Sequence, residues 1–374
     1  PASFLNEPIQ VSLALQPHRV QHGTEGPPMF HRTSPRPLRV PVAVAAALTM
    51  LLAGCSGGAS DQVGTPADAA TAASRSLNVY AFSVAKPAFD ALGKAYAASP
   101  AGSGTTLTAS YGPSGDQSRK VAAGAPADVV AFSLEPDVTR LVAARLVASD
   151  WKSGPHAGSP FGSVVVLVVR KGNPLGVKDF SDLLRPGVSV VTPNPLSSGS
   201  AQWNLLAPYA VASSGGQDRA AGLDFLKKLV TEHVHTQPAS AADASESFRQ
   251  GTGDVLLSYE NEAIAAIKAG DAVEYVVPSQ TFKIENAVAV VSSSAKRDAA
   301  SAFVSFVSSP TGQEAVAAAG YRPADTSVLA AHPEFKAPAK LWTVADLGGW
   351  PTVTTELFDK STGAITQLYT KATS

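Results

Sequence analysis

An α/β protein of two lobes is the fold class this sequence predicts, and three observations predict it. From Leu77 onward short apolar runs alternate with amphipathic segments, the signature of βαβ units on parallel or mixed sheets. Two runs, SVVVLVVR (163–170) and NAVAVVS (286–292), read as crossover strands; the first is apolar on both faces, as a strand buried between layers or joining two lobes would be. They bracket a middle segment of about the size of one domain. At several points a strand pattern gives way to small residues and then to a helix start. Parallel strands deliver such loops to one edge, where open α/β sheets bind ligands.

Taken in order, LNVYAF (77–82) is a strand, and Phe89, Leu92 and Tyr96 follow at helical spacing on a segment that Pro87 opens in its first turn. TLTASY (106–111) is the second strand; the loop GPSGD (112–116) leads into a helix carrying Arg119 and Lys120. ADVVAF (127–132) is the third. VSVV (188–191) is ended by Pro193 and Pro195, and Ser197, Ser198, Gly199 and Ser200 precede a helix that begins at Ala201 with Trp203, Leu206 and Ala210 on one face. Leu223, Leu226 and Val230 mark another helix. GDVLLSY (253–259) is a strand, ENEAIAAIKAG (260–270) a helix closed by Gly270, and EYVVP (274–278) a further strand. Phe303, Phe306 and Val307 share one face of a helix beyond the second crossover strand.

With 374 residues, 29 Lys+Arg and 30 Asp+Glu, the chain is long enough for two domains and nearly neutral. No Lys/Arg-rich run accompanies aromatic residues, so no nucleic-acid partner is expected. PVAVAAALTMLLAG (41–54) follows Arg32, Arg36 and Arg39 and precedes Cys55, the only cysteine. It reads as a signal peptide, too short to span a membrane as a mature helix. Leu52-Ala53-Gly54-Cys55 resembles the bacterial lipobox, whose cysteine receives a diacylglyceryl group. Two acyl chains, at about 0.8 kcal/mol per buried methylene, hold a protein firmly to a membrane. Met29 stands where an initiator belongs, so residues 1–28 are expected to lie upstream of the natural start. Residues 1–54 are thus assigned to that extension and the signal peptide, and 55–76, rich in Ala, Gly, Ser and Thr, to a lipid-anchored flexible tether.

Catalytic and metal chemistry is poorly supported. Of seven histidines, three precede the expected cleavage site; His233 and His235 alternate on a short segment without a Cys or acidic residue to complete a metal site, and are expected at the surface. No G-x-S-x-G elbow, G-x-G-x-x-G or P-loop occurs, and Ser198 has no sequence-adjacent base. An enzyme, a metal and a cofactor are not expected. The loops at Ser83, Ser114-Gly115, Ser198-Gly199-Ser200 and Ala239-Ser240-Ala241 share a different chemistry, rich in N–H and hydroxyl donors and poor in charge. It suits a small anion held at helix N-termini.

The chain from about Leu77 onward resembles the sulfate-binding proteins of bacterial ABC importers, through VRKGNP (169–174), GVSVVTPNPLSSG (187–199), GDVLLSYENEA (253–263), SPTGQE (309–314), YRP (321–323) and LGGW (347–350). The resemblance implies a two-lobed type II periplasmic-binding-protein fold, each lobe a mixed sheet flanked by helices: 77–164 begins lobe I, 165–285 forms lobe II, and 286–374 returns to lobe I with a C-terminal extension. It further implies an extracytoplasmic monomer that closes on sulfate, or thiosulfate, and delivers it to a membrane permease with ATPase subunits. The implied donors are the main-chain N–H groups of Ser83, Ser114, Gly199, Ser200 and Ala241, the hydroxyl of Ser198 and the aromatic position Tyr259. Three of these positions depart from the family pattern. Tyr259 stands where Trp is common, Ser200 where Gly is, and Ser83 where Asp is.

Sulfate is fully ionised at neutral pH and only accepts hydrogen bonds, whereas phosphate keeps a proton that a donor-only site leaves unpaired, at about 1–3 kcal/mol. Tyr259 can accept as well as donate. Glu260 and Glu262 either complement the dipole of their helix or supply the acceptor that a phosphate site needs. The rivals are the same fold with molybdate, tungstate or phosphate, a lipoprotein hydrolase using Ser198, and an envelope lipoprotein without a ligand.

Overall fold

The computed structural model describes residues 76–373, so the expected signal peptide, the tether and Cys55 lie outside the described residues. The chain opens with β1 (Ser76–Phe82), α1 (Lys86–Ala98), β2 (Thr106–Gly112), α2 (Ser114–Ala122), β3 (Val129–Phe132) and α3 (Glu135–Ala143). β4 (Phe161–Arg170) leads to β5 (Val190–Val191), α4 (Gly199–Ala212), α5 (Arg219–Lys228), β6 (Val234–Thr236), α6 (Ala241–Arg249), β7 (Val255–Tyr259), α7 (Glu260–Lys268) and β8 (Val273–Val276). β9 (Gln280–Val290) then returns the chain to α8 (Arg297–Val307), α9 (Pro310–Ala318), β10 (Arg322–Pro323) and α10 (Thr326–Ala330). β11 (Lys340–Trp342), α11 (Gly349–Val353) and α12 (Ala364–Thr373) complete it.

The same strand pattern is built twice. β1 lies between β2 and β3, all parallel, and β9 joins β3 antiparallel. β5 likewise lies between β6 and β7, all parallel, and β4 joins β7 antiparallel. The two antiparallel strands then pair with each other, Phe161–Val164 against residues 283–286, which makes one continuous sheet of two mixed halves. This is the expected two-lobed α/β fold.

β4 shows why its sequence is apolar throughout. Val165, Leu167 and Val169 enter the large core, while Val164, Val166 and Val168 face a second cluster with Ala244, Phe248 and Leu256. The side-chain period of two sends alternate residues to opposite faces, and helices cover both. Phe89 and Tyr96 of α1 pack on Phe303 of α8 with ring centroids 6.3 and 5.2 Å apart. α4 is buried on nearly every side, because α5, β9 and the C-terminal segment surround it; Trp203 meets Trp350 edge-on at 5.0 Å. From Lys340 onward the chain packs on this half: β11 pairs with β9, and α12 lies on α5.

Several expected bounds shift. The strand expected at 188–191 is only Val190–Val191, because Ser189 bonds sideways, its N–H to Asp254 Oδ2 and its carbonyl to the Asp254 and Val255 N–H groups. α4 starts at Gly199 rather than Ala201, and α2 already at Ser114, so the small residues are helical first turns rather than loops. β9 begins six residues before the expected Asn286, since its start pairs with both β4 and β11. Among the described residues no helix is long and apolar enough to cross a membrane.

Gly162 sits where β4 approaches β9 so closely that a Cβ would lie 1.9 Å from the carbonyl oxygen of Ile284. Gly162→Ala should therefore lower the free energy of unfolding by about 3 kcal/mol, at the upper end of overpacking costs, in urea titration.

Candidate functional site

The parallel strands of both half-sheets end in short turns that lead directly into helices. β1 runs into Ser83, β2 into the start of α2, β3 into Ser133, β5 into the segment before α4, β6 into the segment before α6, and β7 into α7. First-turn N–H groups of α2, α4, α6 and α7 have no intrahelical partner, and the positive ends of the helix dipoles lie there.

The centre of this region is a cluster of hydroxyl groups. Ser133, fully buried, places Oγ 2.7 Å from Tyr259 Oη, a bond that joins the end of β3 to the end of β7. The Ser200 side chain lies near the Tyr259 phenol and helps hold its pKa down. Burial drives the phenol pKa upward, the two serines pull it back, and the Glu262 charge adds to the rise. The Ser133 N–H donates to Ser114 Oγ at 3.0 Å, and the Ser114 hydroxyl donates to Asp137 Oδ2 at 2.6 Å. Trp203 Nε1 donates to the Ser133 carbonyl at 2.8 Å. Gly199 packs so near that a Cβ there would lie 3.0 Å from Ser133 Cβ and 2.9 Å from Leu134 Cγ.

The geometry thus brings Ser114, Gly199, Ser200 and Tyr259 together. Ser198 is the N-cap of α4 but its side chain makes no capping bond, whereas Ser240, at the same place before α6, accepts from the Asp243 N–H at 3.1 Å. The Ser198 hydroxyl is therefore not occupied by its own helix, and Ser198 and Gly199 line a cavity of about 550 Å³ with Gly115 and Gln202. Ser83 and Ala241 each stand one residue from a second cavity of about 290 Å³, whose walls include Val84, Ala242, Asn261 and Glu262. Tyr321 Oη donates to the Val84 carbonyl at 2.7 Å and fixes the turn that carries Ser83.

Charged groups nearby are paired within the protein. Arg119 pairs with Asp116, and Arg140 reaches Asp137 at 2.9 Å. Glu260 is fully buried and bonds Arg322 through Nε at 2.6 Å and Nη2 at 3.0 Å, an arrangement that leaves it unable to serve a ligand. Burial raises the Glu260 pKa and the arginine opposes it. Glu262 is different. Ser245 donates to its Oε2 at 2.7 Å, but Oε1 is shut off from solvent without a partner, although the residue as a whole is only partly buried. Burial pushes this carboxyl up to about 7, against bonds from Ser245 and Ser258.

Two sequence expectations need revision. His233 is buried, not at the surface, because its Nδ1–H reaches the Val188 carbonyl at 2.9 Å; His235 is exposed as expected. No group of three metal-ligating side chains occurs among the described residues. Ser133 was missed, although ADVVAF, then Ser133, then a helix opened by Pro136 repeats the strand, small residue, helix signal used for the other loops.

Residues 77–322 match the profile of the bacterial extracellular solute-binding proteins. The chain is 37% identical to the sulfate-binding protein of Synechococcus elongatus, over 84% of this chain and 91% of the relative. It is 37% identical to that of Escherichia coli, over 69% and 81% respectively. The thiosulfate-binding protein of Pseudomonas aeruginosa is 34% identical over 61% of this chain and 71% of its own length. Among solved structures, the sulfate-binding protein SubI of Mycobacterium tuberculosis superposes with a TM-score of 0.75 at 53% identity, covering 76% of this chain and 99% of that one.

The folded chain retains the Glu262 proton up to about pH 7, whereas the unfolded chain loses it above about 4.5. The unfolded state then binds fewer protons across that window, so stability falls as pH rises through it, by up to about 3 kcal/mol. Glu262→Gln should remove this part of the difference between urea titrations at pH 5 and pH 7.5.

Proposed function

The chain belongs to the bacterial extracellular solute-binding proteins, and from that premise we propose that it captures sulfate and hands it to the permease of an ABC importer. The observation that carries this reading is the convergence of helix first turns and hydroxyls from both half-sheets on one place where the neighbouring arginines and Glu260 are already paired. Such a place offers donors without offering charge. A dianion that only accepts hydrogen bonds suits it, and preorganised dipoles stabilise that charge without needing a counter-ion.

In this reading the N–H groups of Ser83, Ser114, Gly199, Ser200 and Ala241 donate to the oxyanion, with the hydroxyls of Ser198 and Tyr259. Ser114 contributes only through its N–H, because its hydroxyl proton goes to Asp137. The lobe boundaries at 164/165 and 285/286 fall inside β4 and β9, the strands that join the half-sheets, so bending there would open and close the cleft. Cys55 carries the lipid that anchors the protein on the outer side of the cell membrane. It acts as a monomer and performs no covalent chemistry.

Calorimetric titration of protein freed of bound anion by partial unfolding and dialysis tests this. Saturable 1:1 sulfate binding is expected, undisturbed by a large excess of phosphate, with thiosulfate as a second ligand and no hydrolysis of phosphate or acyl esters. Ser198→Ala should weaken sulfate by roughly 10- to 100-fold, the worth of a hydrogen bond to a charged group. Binding of molybdate or phosphate in place of sulfate would move the function within the fold, and binding of no oxyanion would reject it.

A further inference from the structure

We propose that Ser133 sets the ion selectivity of this site by holding the Tyr259 hydroxyl as a donor toward the bound anion. The inference rests on the reading that the anion lies against Tyr259 and the start of α4. It assigns a role to a residue that does not itself have to touch the ligand.

Ser133 is held by its own backbone. Its N–H is bonded to Ser114 Oγ, itself anchored on Asp137, and its carbonyl receives Trp203 Nε1 from α4. The side chain, fully buried, has one hydrogen-bond partner among the described residues, Tyr259 Oη at 2.7 Å. A buried hydroxyl with a single acceptor in reach donates to it, since an unmade bond there is costly. In this assignment the Ser133 proton occupies one lone pair of the phenol, which leaves the phenol proton free for an acceptor other than Ser133.

This orientation decides how Tyr259 treats a ligand. A phenol free to rotate can accept the proton of hydrogen phosphate as readily as it donates to sulfate. With one lone pair taken by Ser133 and its proton directed at the ligand, it becomes a better donor and a poorer acceptor, closer to an indole N–H in behaviour. Ser133 is thus a positioning residue that lets Tyr serve where an N–H donor is common among similar proteins.

Titration of the full chain with sulfate and with inorganic phosphate at pH 7.5, for the wild type, Ser133→Ala, Ser133→Thr and Tyr259→Phe, tests the assignment. Ser133→Ala should lower the sulfate-over-phosphate affinity ratio by about tenfold, chiefly by admitting phosphate, and Ser133→Thr should restore it. Tyr259→Phe should weaken sulfate by tenfold or more. The ratio is insensitive to a general loss of folded protein, so a merely structural role for Ser133 would weaken both ions equally. An unaltered ratio in Ser133→Ala, or unaltered sulfate affinity in Tyr259→Phe, overturns the assignment while sulfate binding by the wild type leaves the transport reading standing. Failure of the wild type to bind sulfate would reject that reading and this inference together.

Discussion

The antiparallel pairing of β4 with β9 is the constraint on which the rest depends. Each of these strands closes the inner edge of one half-sheet, and their pairing through residues 161–164 and 283–286 merges the halves. Only a glycine at position 162 allows the approach, given how near the Ile284 carbonyl lies. The pairing also brings the end of β3 to the end of β7. Ser133 meets Tyr259 across 126 residues of sequence for that reason, and Trp203 of α4 reaches the Ser133 carbonyl beside it.

Around that meeting point the protein separates its charges from its donors. Arg119, Arg140 and Arg322 each have a carboxylate partner, and Glu260 is wholly occupied by Arg322. What remains toward the proposed anion is a set of dipoles and hydroxyls of fixed direction. A buried cation would compensate a dianion strongly but would lose much of the gain to its own desolvation. Fixed N–H groups avoid that cost because the fold has already oriented them. Glu262 is the exception, a carboxyl with one unpartnered oxygen whose burial makes the neutral form the stable one up to about pH 7.

The periodicities of the sequence were sufficient for most elements. Phe89, Leu92 and Tyr96 form the buried face of α1, and the run around Val166 is a strand buried on both faces. The strand at 188–191 was overestimated because an apolar run does not reveal that the Ser189 backbone pairs outside the ladder. α3 went unread although Val138 and Leu141 sit at helical spacing behind a proline, as did α12 although Ile365, Leu368 and Tyr369 share a face; α9 has little apolar periodicity, and α10 and α11 are too short to show any. His233 was misplaced because a carbonyl 45 residues earlier satisfies it, which no neighbouring residue announces.

Alone, the sequence determined the α/β class, the crossover strands, the small-residue loops ahead of helices and the motifs shared with sulfate-binding proteins. These depend on local periodicity, capping chemistry and short contiguous words, all properties of near neighbours along the chain. Tertiary structure alone decided that Ser133 belongs with Tyr259 and Ser200, that Glu260 turns to Arg322 while Glu262 keeps a bare oxygen, and that the C-terminal segment returns to cover α4 and α5. Each of those outcomes is a competition among distant partners for one buried donor or acceptor, and burial and distance settle it only once the half-sheets are joined.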